Sequence, residues 1–508
     1  MGFRERFHQE RQSYTAFLVL LFVFLVVYFL VRSVFVVSAR YDILEKTLAV
    51  VFLLCEAFVL VQALGYFITV YRCRQKRCVL PAVQAVPHIP SVAILVPARH
   101  EPTGVLEDTL VCLYNLQYPN KHIYLLDDSS IPKFKEEAAR LARKYEAKVF
   151  SRDVRRGAKA GIINDCVATL DEKYIAIFDA DQNPIASFLD KLVPFLEADD
   201  RLGFIQTPQF YSNTASSRVA LAANVQQAVF YEYICEGKGS NEAMVCCGTN
   251  VVLRRQALLE VGGLDEATVT EDFATSVKLH LRGWRSLYSN HVYVFGQGPE
   301  DLVAYLKQQH RWAMGNVAVL RRIIVEFFRN PFRLSLAQWF EYFVTGSYYL
   351  IGWAYIFLIF CPVLYIFFGI PSFFMNSVVY SLSFVPYLIL SLAIFYYSMY
   401  ERAYDMRQAI LGQLLVFVTL PVYLRASLFG LLGVKGRFEV TAKNGGRRIP
   451  YVYLWPQLFF WGVNLAALTW ALNKLVYARS AAILLNAAWI AYHFLLFSSI
   501  FYFNEEKV

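Results

Sequence analysis

The strongest constraint on this chain is a set of apolar runs long enough to cross a bilayer. From Phe17 to Val37 the sequence is almost continuously apolar, interrupted by Arg32, and about 20 such residues at about 1.5 Å rise cover a hydrocarbon core of about 30 Å. The run is longer than the ~7–15 apolar residues of a secretory signal and has no small-residue cleavage site, so it is expected to remain as a first transmembrane helix. Leu48–Tyr71 is expected as a second. Further spans are expected at about 340–369, 379–399, 453–474 and 481–503, whereas 408–433, which contains Pro421 and Arg425, is expected to be interfacial or broken.

Charge orients these spans. The basic stretches "FRERFHQERQ" (3–12) and "YRCRQKR" (71–77) flank the first hairpin, which by the positive-inside tendency places the amino terminus and the segment after Arg77 in the cytosol. Six spans return the carboxyl terminus to the same side of a plasma or inner membrane. The net charge of +9 lies beside hydrophobic spans rather than in basic tracts, so the lipid bilayer or an anionic substrate is the expected partner and nucleic acid is not. Nine cysteines without a CxxC pair read as reduced thiols.

Residues 91–300 have a different character. Short β-branched runs, "VAILVPA" (92–98), "IYLLDD" (123–128), "AKVFS" (147–151) and "YIAIFDAD" (174–181), alternate with helical stretches such as "KFKEEAARLARKYEA". That alternation predicts an α/β domain with a mostly parallel, doubly wound sheet, whose ligands collect at the carboxyl ends of the strands. The expected organisation is a transmembrane hairpin at 1–78, the α/β domain at 91–300, amphipathic interface helices at 301–335, and a membrane region at 336–508 that includes a basic loop at 434–450. Glu341, within a span, is expected to face either a polar path or the interface.

Two predicted strands end in acidic pairs, Asp127–Asp128 and Asp179–Asp181. In an extended chain Asp179 and Asp181 share a face, which suits two carboxylates holding one hard divalent cation and its phosphate ligands. In "TVTEDFATSVKLHLRGW", Thr270 is placed to cap a helix with Glu271 and Asp272 in its first turn. A carboxylate so delivered suits a general base for a sugar hydroxyl. On the helix expected around "QQHRW", Gln308, Arg311 and Trp312 fall at offsets of 3 and 4 and share a face. Arg and Gln suit a diphosphate and the indole a sugar ring.

"LLDDSS", "AKAG", "DAD", "CCGTN", "TED" and "QQHRW", in that order between transmembrane segments, resemble the processive family 2 inverting glycosyltransferases, the cellulose, hyaluronan and chitin synthase group. The resemblance implies a GT-A-type domain using a UDP-sugar. It puts Asp127 and Asp128 at the uridine end, Lys159 near the diphosphate, and Mg2+ or Mn2+ on Asp179 and Asp181. Asp272, beside Glu271, becomes the base, Gln308 and Arg311 diphosphate ligands, and Trp312 the platform under the acceptor sugar at a channel mouth.

"RFEVTAKNGG" resembles the FxVTxKG gating loop of bacterial cellulose synthases, which implies substrate binding by Phe438, Val440, Thr441 and Lys443, with Thr441 and Lys443 suited to hydrogen-bond the diphosphate and Asn444 departing from the pattern. It favours UDP-glucose as donor and a growing β-glucan as product, either cellulose, β-1,3-glucan or a mixed-linkage chain. The family setting adds accessory export subunits as candidate partners. With "NEEKV" directly after the last expected span, the carboxyl-terminal cyclic-di-GMP-binding domain of many bacterial cellulose synthases is not expected, and "QQHRW" departs from Gln-Arg-x-Arg-Trp at its second position. A hyaluronan- or chitin-synthase-like polymerase and a non-processive lipid glycosyltransferase are the alternatives.

Overall fold

The computed structural model describes residues 3–38, 42–75, 89–371, 376–434, 436 and 448–504. The candidate gating residues Phe438, Val440, Thr441 and Lys443 lie outside the described residues.

Ten strands form the α/β domain: β1 (Val92–Ala98), β2 (Lys121–Asp127), β3 (Lys148–Ser151), β4 (Tyr174–Ile177), β5 (Gln182–Pro184), β6 (Leu202–Gln206), β7 (Phe210–Tyr211), β8 (Val251–Arg254), β9 (Arg285–Tyr288) and β10 (Val294–Gly296). Seven of them make one sheet in the order β3-β2-β1-β4-β8-β6-β9, parallel except for β8, which runs antiparallel to both β4 and β6. β5, β10 and β7 form a small second sheet beside it.

The doubly wound expectation holds at the level of single residues. Val92, Ile94 and Val96 enter one core with the helices Thr103–Tyr114 and Phe188–Ala198. Ala93 and Leu95 enter another, together with Ala160, Ile163 and Val167 of the helix Ala158–Val167. A strand covered on both faces must be apolar at every position, which is why "VAILVPA" reads as a run rather than an alternation.

Among the described residues, six helical segments are apolar and long enough to cross a membrane: Tyr14–Ser38, Ile43–Cys73, Leu336–Phe368, Ser377–Glu401, Met406–Leu432 and Ala481–Phe503. Their membership differs from expectation at two places. The run expected to be interfacial or broken is one continuous helix, Met406–Leu432, that passes through Pro421. Pro421 removes the N–H that would donate to the Phe417 carbonyl, and beside it Gln457 Nε2 donates to the Val418 carbonyl at 3.2 Å, bracing that turn. The segment expected as a span at 453–474 forms the helix Trp455–Tyr477, which is not among the six. Gln457, Asn464, Thr469, Asn473 and Lys474 lower its mean hydropathy.

Glu341 is engaged by side chains from elsewhere in the chain. It is buried at the meeting point of three parts of the chain, where Lys238 Nζ donates to its Oε2 at 3.2 Å, Asn241 Nδ2 to its Oε1 at 2.9 Å and Arg72 to the same oxygen at 3.3 Å. Arg72 closes the first hairpin and Lys238 belongs to the α/β domain. The carboxylate therefore clamps that domain to the membrane helices.

Candidate active site

A cavity of about 220 Å3 opens at the carboxyl ends of β1, β2 and β4. Its lining joins Asp128, Lys159, Asp179, Asp181, Glu271, Asp272, Gln308, Arg311 and Trp312, residues far apart in the sequence. Of the acidic pairs, Asp127 alone stays out. Its carboxylate accepts the Ser129 N–H at 3.0 Å and is almost wholly buried, so it builds the turn after β2.

Asp128 faces the cavity under arginine control. Arg152 holds it with Nε and Nη2 at 3.0 and 3.1 Å, and Arg155 adds Nε at 3.0 Å. A carboxylate with three charge-assisted donors is fixed in position and its charge offset. The "SRDVRR" stretch gave no sign of this, because a run of surface charge in a loop ordinarily faces solvent.

"DAD" works by a different local geometry from the extended one expected. β4 ends at Ile177, and the Gln182 N–H donates to the Asp179 carbonyl at 3.0 Å, so residues 179–182 form a turn. Both carboxylates still reach the cavity.

The "CCGTN" segment is the hub that holds the site together. Thr249 Oγ1 accepts the Asp179 N–H at 2.9 Å, and the Gly248 carbonyl accepts from Lys159 Nζ at 2.8 Å. The Cys247 N–H donates to Gln206 Oε1 at 2.8 Å, and the Cys246 N–H to Ser276 Oγ at 2.7 Å on the helix Glu271–Leu281. Gly248 has a φ of +77°, and a Cβ there would meet Asp272 Oδ2 at 3.0 Å. Only glycine lets the loop pass this close to that carboxylate.

Glu271 and Asp272 begin the helix as expected, but Thr270 does not cap it: its side chain makes no capping bond. Its place is against Gly315, where an added Cβ would lie 2.5 Å from the Thr270 methyl carbon. The small residue at 315 thus allows the helix Leu302–Arg329 to cross directly over the acids.

Burial pushes the Asp272 carboxyl up to about 7, and the neighbouring Glu271 charge adds to the rise. Lys159 and Arg311 oppose it without prevailing. Burial likewise raises the Glu271 carboxyl. Burial would lower the Lys159 ammonium, yet Asp179 and Glu271 hold it above its ordinary value. A carboxylate near 7 is a usable proton acceptor at neutral pH, and the fixed ammonium is a ready counter-charge for an anionic leaving group.

Gln308, Arg311 and Trp312 project from the helix Leu302–Arg329, whose first turn is capped by Asp301 accepting the Ala304 N–H at 2.8 Å. Gln309 faces the other way and accepts from the Tyr423 hydroxyl at 2.9 Å. Trp312 both lines the cavity and packs on a cluster containing Tyr349, Tyr423, Phe460 and Phe497. It stands where the site meets the helical bundle.

Tyr211 also lines the cavity, with its hydroxyl accepting from Gln227 Nε2 at 2.8 Å. Burial raises this phenol to about 12, with Gln227 and Gln308 bonding opposing and the Asp181 charge adding. It therefore lies between the acidic turn and the interface helix. No sequence signal singled it out, since "FIQTPQFY" carries no charge and matches no motif.

A doubly wound domain with an acidic turn, a lysine beside it and an indole at the edge of an apolar helical bundle is the setting into which the family comparison falls. The family model of glycosyl transferase family group 2 matches residues 174–501, and the chain belongs to that family. Its mostly parallel sheet agrees with the expected GT-A type.

Among curated relatives, "Putative cellulose synthase 2" of Komagataeibacter xylinus is 27% identical over 88% of this chain and 30% of its own length. The UDP-forming cellulose synthase catalytic subunit of Pseudomonas fluorescens is 26% identical over 81% of this chain and 56% of its own length. The chain thus spans between about a third and three fifths of these relatives. A solved mannosyltransferase from Pyrobaculum calidifontis, in complex with GDP-Man and Mn2+, is similar over 75% of this chain and 100% of its own at 16% identity and a TM-score of 0.49.

Proposed function

We propose that this protein is a processive β-glucan synthase that transfers glucose from UDP-glucose with inversion and passes the product into its own membrane region. The observation that carries the reading is the single cavity uniting Lys159, Asp179, Asp181, Asp272, Arg311 and Trp312. Its similarity to UDP-forming cellulose synthase subunits supports the choice of donor and polymer.

Asp272 takes the proton from the acceptor hydroxyl as that oxygen bonds the anomeric carbon and the bond from that carbon to the diphosphate breaks. One displacement converts an α-linked donor into a β-linked product, with UDP leaving. Lys159, Gln308 and Arg311 bind the diphosphate, and Asp128, held by Arg152 and Arg155, sits at the uridine end. Trp312 stacks under the acceptor and aims one hydroxyl, which sets the linkage.

Asp179 and Asp181 fit a divalent cation: both are hard oxygen donors lining the cavity, and two protein carboxylates leave coordination positions for diphosphate and water, as suits Mg2+ or Mn2+. When bound, the cation neutralises charge developing on the departing diphosphate. Phe438, Val440, Thr441 and Lys443 are retained as substrate-binding by resemblance, Thr441 and Lys443 toward the diphosphate. Val434 and Gly436, which lead into that loop, line a cavity that also includes Lys159 and Glu271.

The α/β domain and both termini are assigned to the cytosol on the basic stretches flanking the first hairpin. In this assignment Trp455–Tyr477 crosses the bilayer, because it pairs as a hairpin with the span Ala481–Phe503 and has the same 23-residue length. Met406–Leu432 lies along the interface, packed on the basic helix Leu302–Arg329 and on Arg218–Ala228 of the α/β domain.

The test is a panel of UDP-sugars with Mg2+ or Mn2+, read by UDP release and by polymer formation. Turnover confined to UDP-glucose, with polymer formed, supports the proposal. Consumption of UDP-GlcNAc or UDP-glucuronate alone, or a single addition to lipid, overturns it.

A further inference from the structure

The connection between the helix Leu302–Arg329 and the helix Leu336–Ser347 exposes three large apolar side chains on the described surface. Phe332 is 98% exposed, Leu336 83% and Phe328 78%. The segment that carries them is tightly braced. The Trp339 indole donates to the Pro331 carbonyl at 2.8 Å, the Asn330 N–H to the Glu326 carbonyl at 2.8 Å and the Arg333 N–H to the Asn330 carbonyl at 3.1 Å. Ser335 and Gln338 close a capping box on the next helix, and Leu334 is buried. A connection held this firmly presents a phenyl ring outward by construction, at a cost in water that only an apolar environment removes.

Two observations identify that environment. The candidate span Leu336–Phe368 starts at Leu336, so the exposed rings stand at the foot of a membrane helix. Arg329 and Arg333 flank Phe332, both exposed, and they lie beside the rings where a bilayer has its phosphates.

We infer that this connection is a lipid wedge: Phe328, Phe332 and Leu336 enter the acyl layer of the leaflet adjoining the α/β domain, while Arg329 and Arg333 hold anionic headgroups. Aromatic residues with flanking cations are suited to that boundary, and attraction to anionic lipid adds to apolar insertion.

The wedge is mechanically joined to the candidate site. Phe273 and Val277, on the helix that begins at Glu271, share one buried cluster with Ile323 and Trp339. The buried Leu334 of the connection and Trp339 just beyond it thus pack against the helix that carries Asp272. This inference is independent of the donor sugar and of the reaction proposed.

The experiment uses the full chain in nanodiscs of phosphatidylcholine, with or without a minor share of phosphatidylglycerol. A nitroxide is placed by Phe332→Cys, with Val154→Cys as a reference in the α/β domain, where Val154 is 76% exposed. Labelling of the unsubstituted protein corrects for native thiols, and monodisperse elution checks folding. The wedge predicts that oxygen relaxes the label at 332 more than an aqueous nickel chelate does, with the reverse at 154. It also predicts a higher ratio of inserted to aqueous label in anionic discs, falling about fivefold for each of Arg329→Gln and Arg333→Gln. Nickel access at 332 equal to that at 154 overturns the insertion. Shielding from both relaxers points to a protein partner on this face and overturns it too. Insertion unchanged by anionic lipid and by both arginine substitutions overturns the headgroup contact.

Discussion

Lys159 Nζ stands 2.5 Å from Asp179 Oδ1 and 2.8 Å from the Gly248 carbonyl oxygen, so one buried ammonium joins the acidic turn to the "CCGTN" loop. In the proposed function, a cation at Asp179 and a diphosphate beside it would both change that ammonium's partners. In the proposed reaction the lysine would exchange a carboxylate for a phosphate oxygen as the donor arrives.

Lys159→Met is expected to lower kcat/KM for the donor by about a hundredfold, since loss of one partner of a buried charge pair costs about 2–5 kcal/mol. Steady-state UDP release measures it. A variant with unchanged kcat/KM removes Lys159 from the site.

Asp272→Asn is expected to lower polymerisation by about 10²- to 10⁴-fold, the range for a positioned general base, while donor affinity stays within about twofold. A base accepts a proton only when ionised, and Asp272 is pushed up to about 7. Wild-type kcat/KM for the acceptor should therefore fall about tenfold per pH unit below about 7 and level off above it. The residual rate of the Asn variant should lack that limb, which a pH profile of the two proteins decides.

Chelation is expected to abolish turnover, and added Mg2+ or Mn2+ to restore it. Asp181→Asn should raise the cation concentration needed for half-maximal rate by at least about tenfold, because it removes one of two protein carboxylates offered to the cation. A cation titration of rate compares the two proteins. Full activity after exhaustive chelation would remove the cation from the account.

Gly315→Ala places a methyl group on Thr270, which should cost about 1–3 kcal/mol in overpacking and misplace the acids beneath. Adding Thr270→Ala, which removes the methyl and hydroxyl in the way, should restore much of the rate. Additive losses in the double variant would show that the two helices do not communicate through this contact.

Lys238→Met should lower the thermal midpoint in detergent, because it leaves the buried Glu341 with Arg72 and Asn241 but without its ammonium, a loss below the ~3–5 kcal/mol of a wholly unpaired buried charge. Pairing it with Glu341→Leu should recover part of the midpoint. A singly substituted protein that melts like the wild type would deny the clamp.

Much of this site was legible because its chemistry sits where regular strands and helices stop. "YIAIFDAD" marks a buried strand and an acidic turn, and the spacing of Gln308, Arg311 and Trp312 marks one helical face. Asp127 could not be told from Asp128, because which carboxylate turns inward depends on the Ser129 N–H. Tyr211 and Arg152 were hidden, since their roles arise only when distant strands meet. At 408–433 the expectation of a break differs from the structure, because Pro421 does not break a helix packed on both sides; at 453–474 Asn464 and Lys474 dilute the hydropathy of a helix that pairs along its length with Ala481–Phe503. Glu341 was read for depth alone, and its partners, Lys238 and Asn241, lie in a different domain.

The most direct test of the central claim is the stereochemistry of the product. Wild-type protein is given UDP-glucose labelled with 13C at the anomeric carbon, and the product is examined by NMR and by linkage-specific β-glucanases. The account predicts a polymer whose labelled carbons are all β-linked, absent with Asp272→Asn. An α-linked product, or a β-linked polymer made at the wild-type rate by the Asn variant, would contradict it.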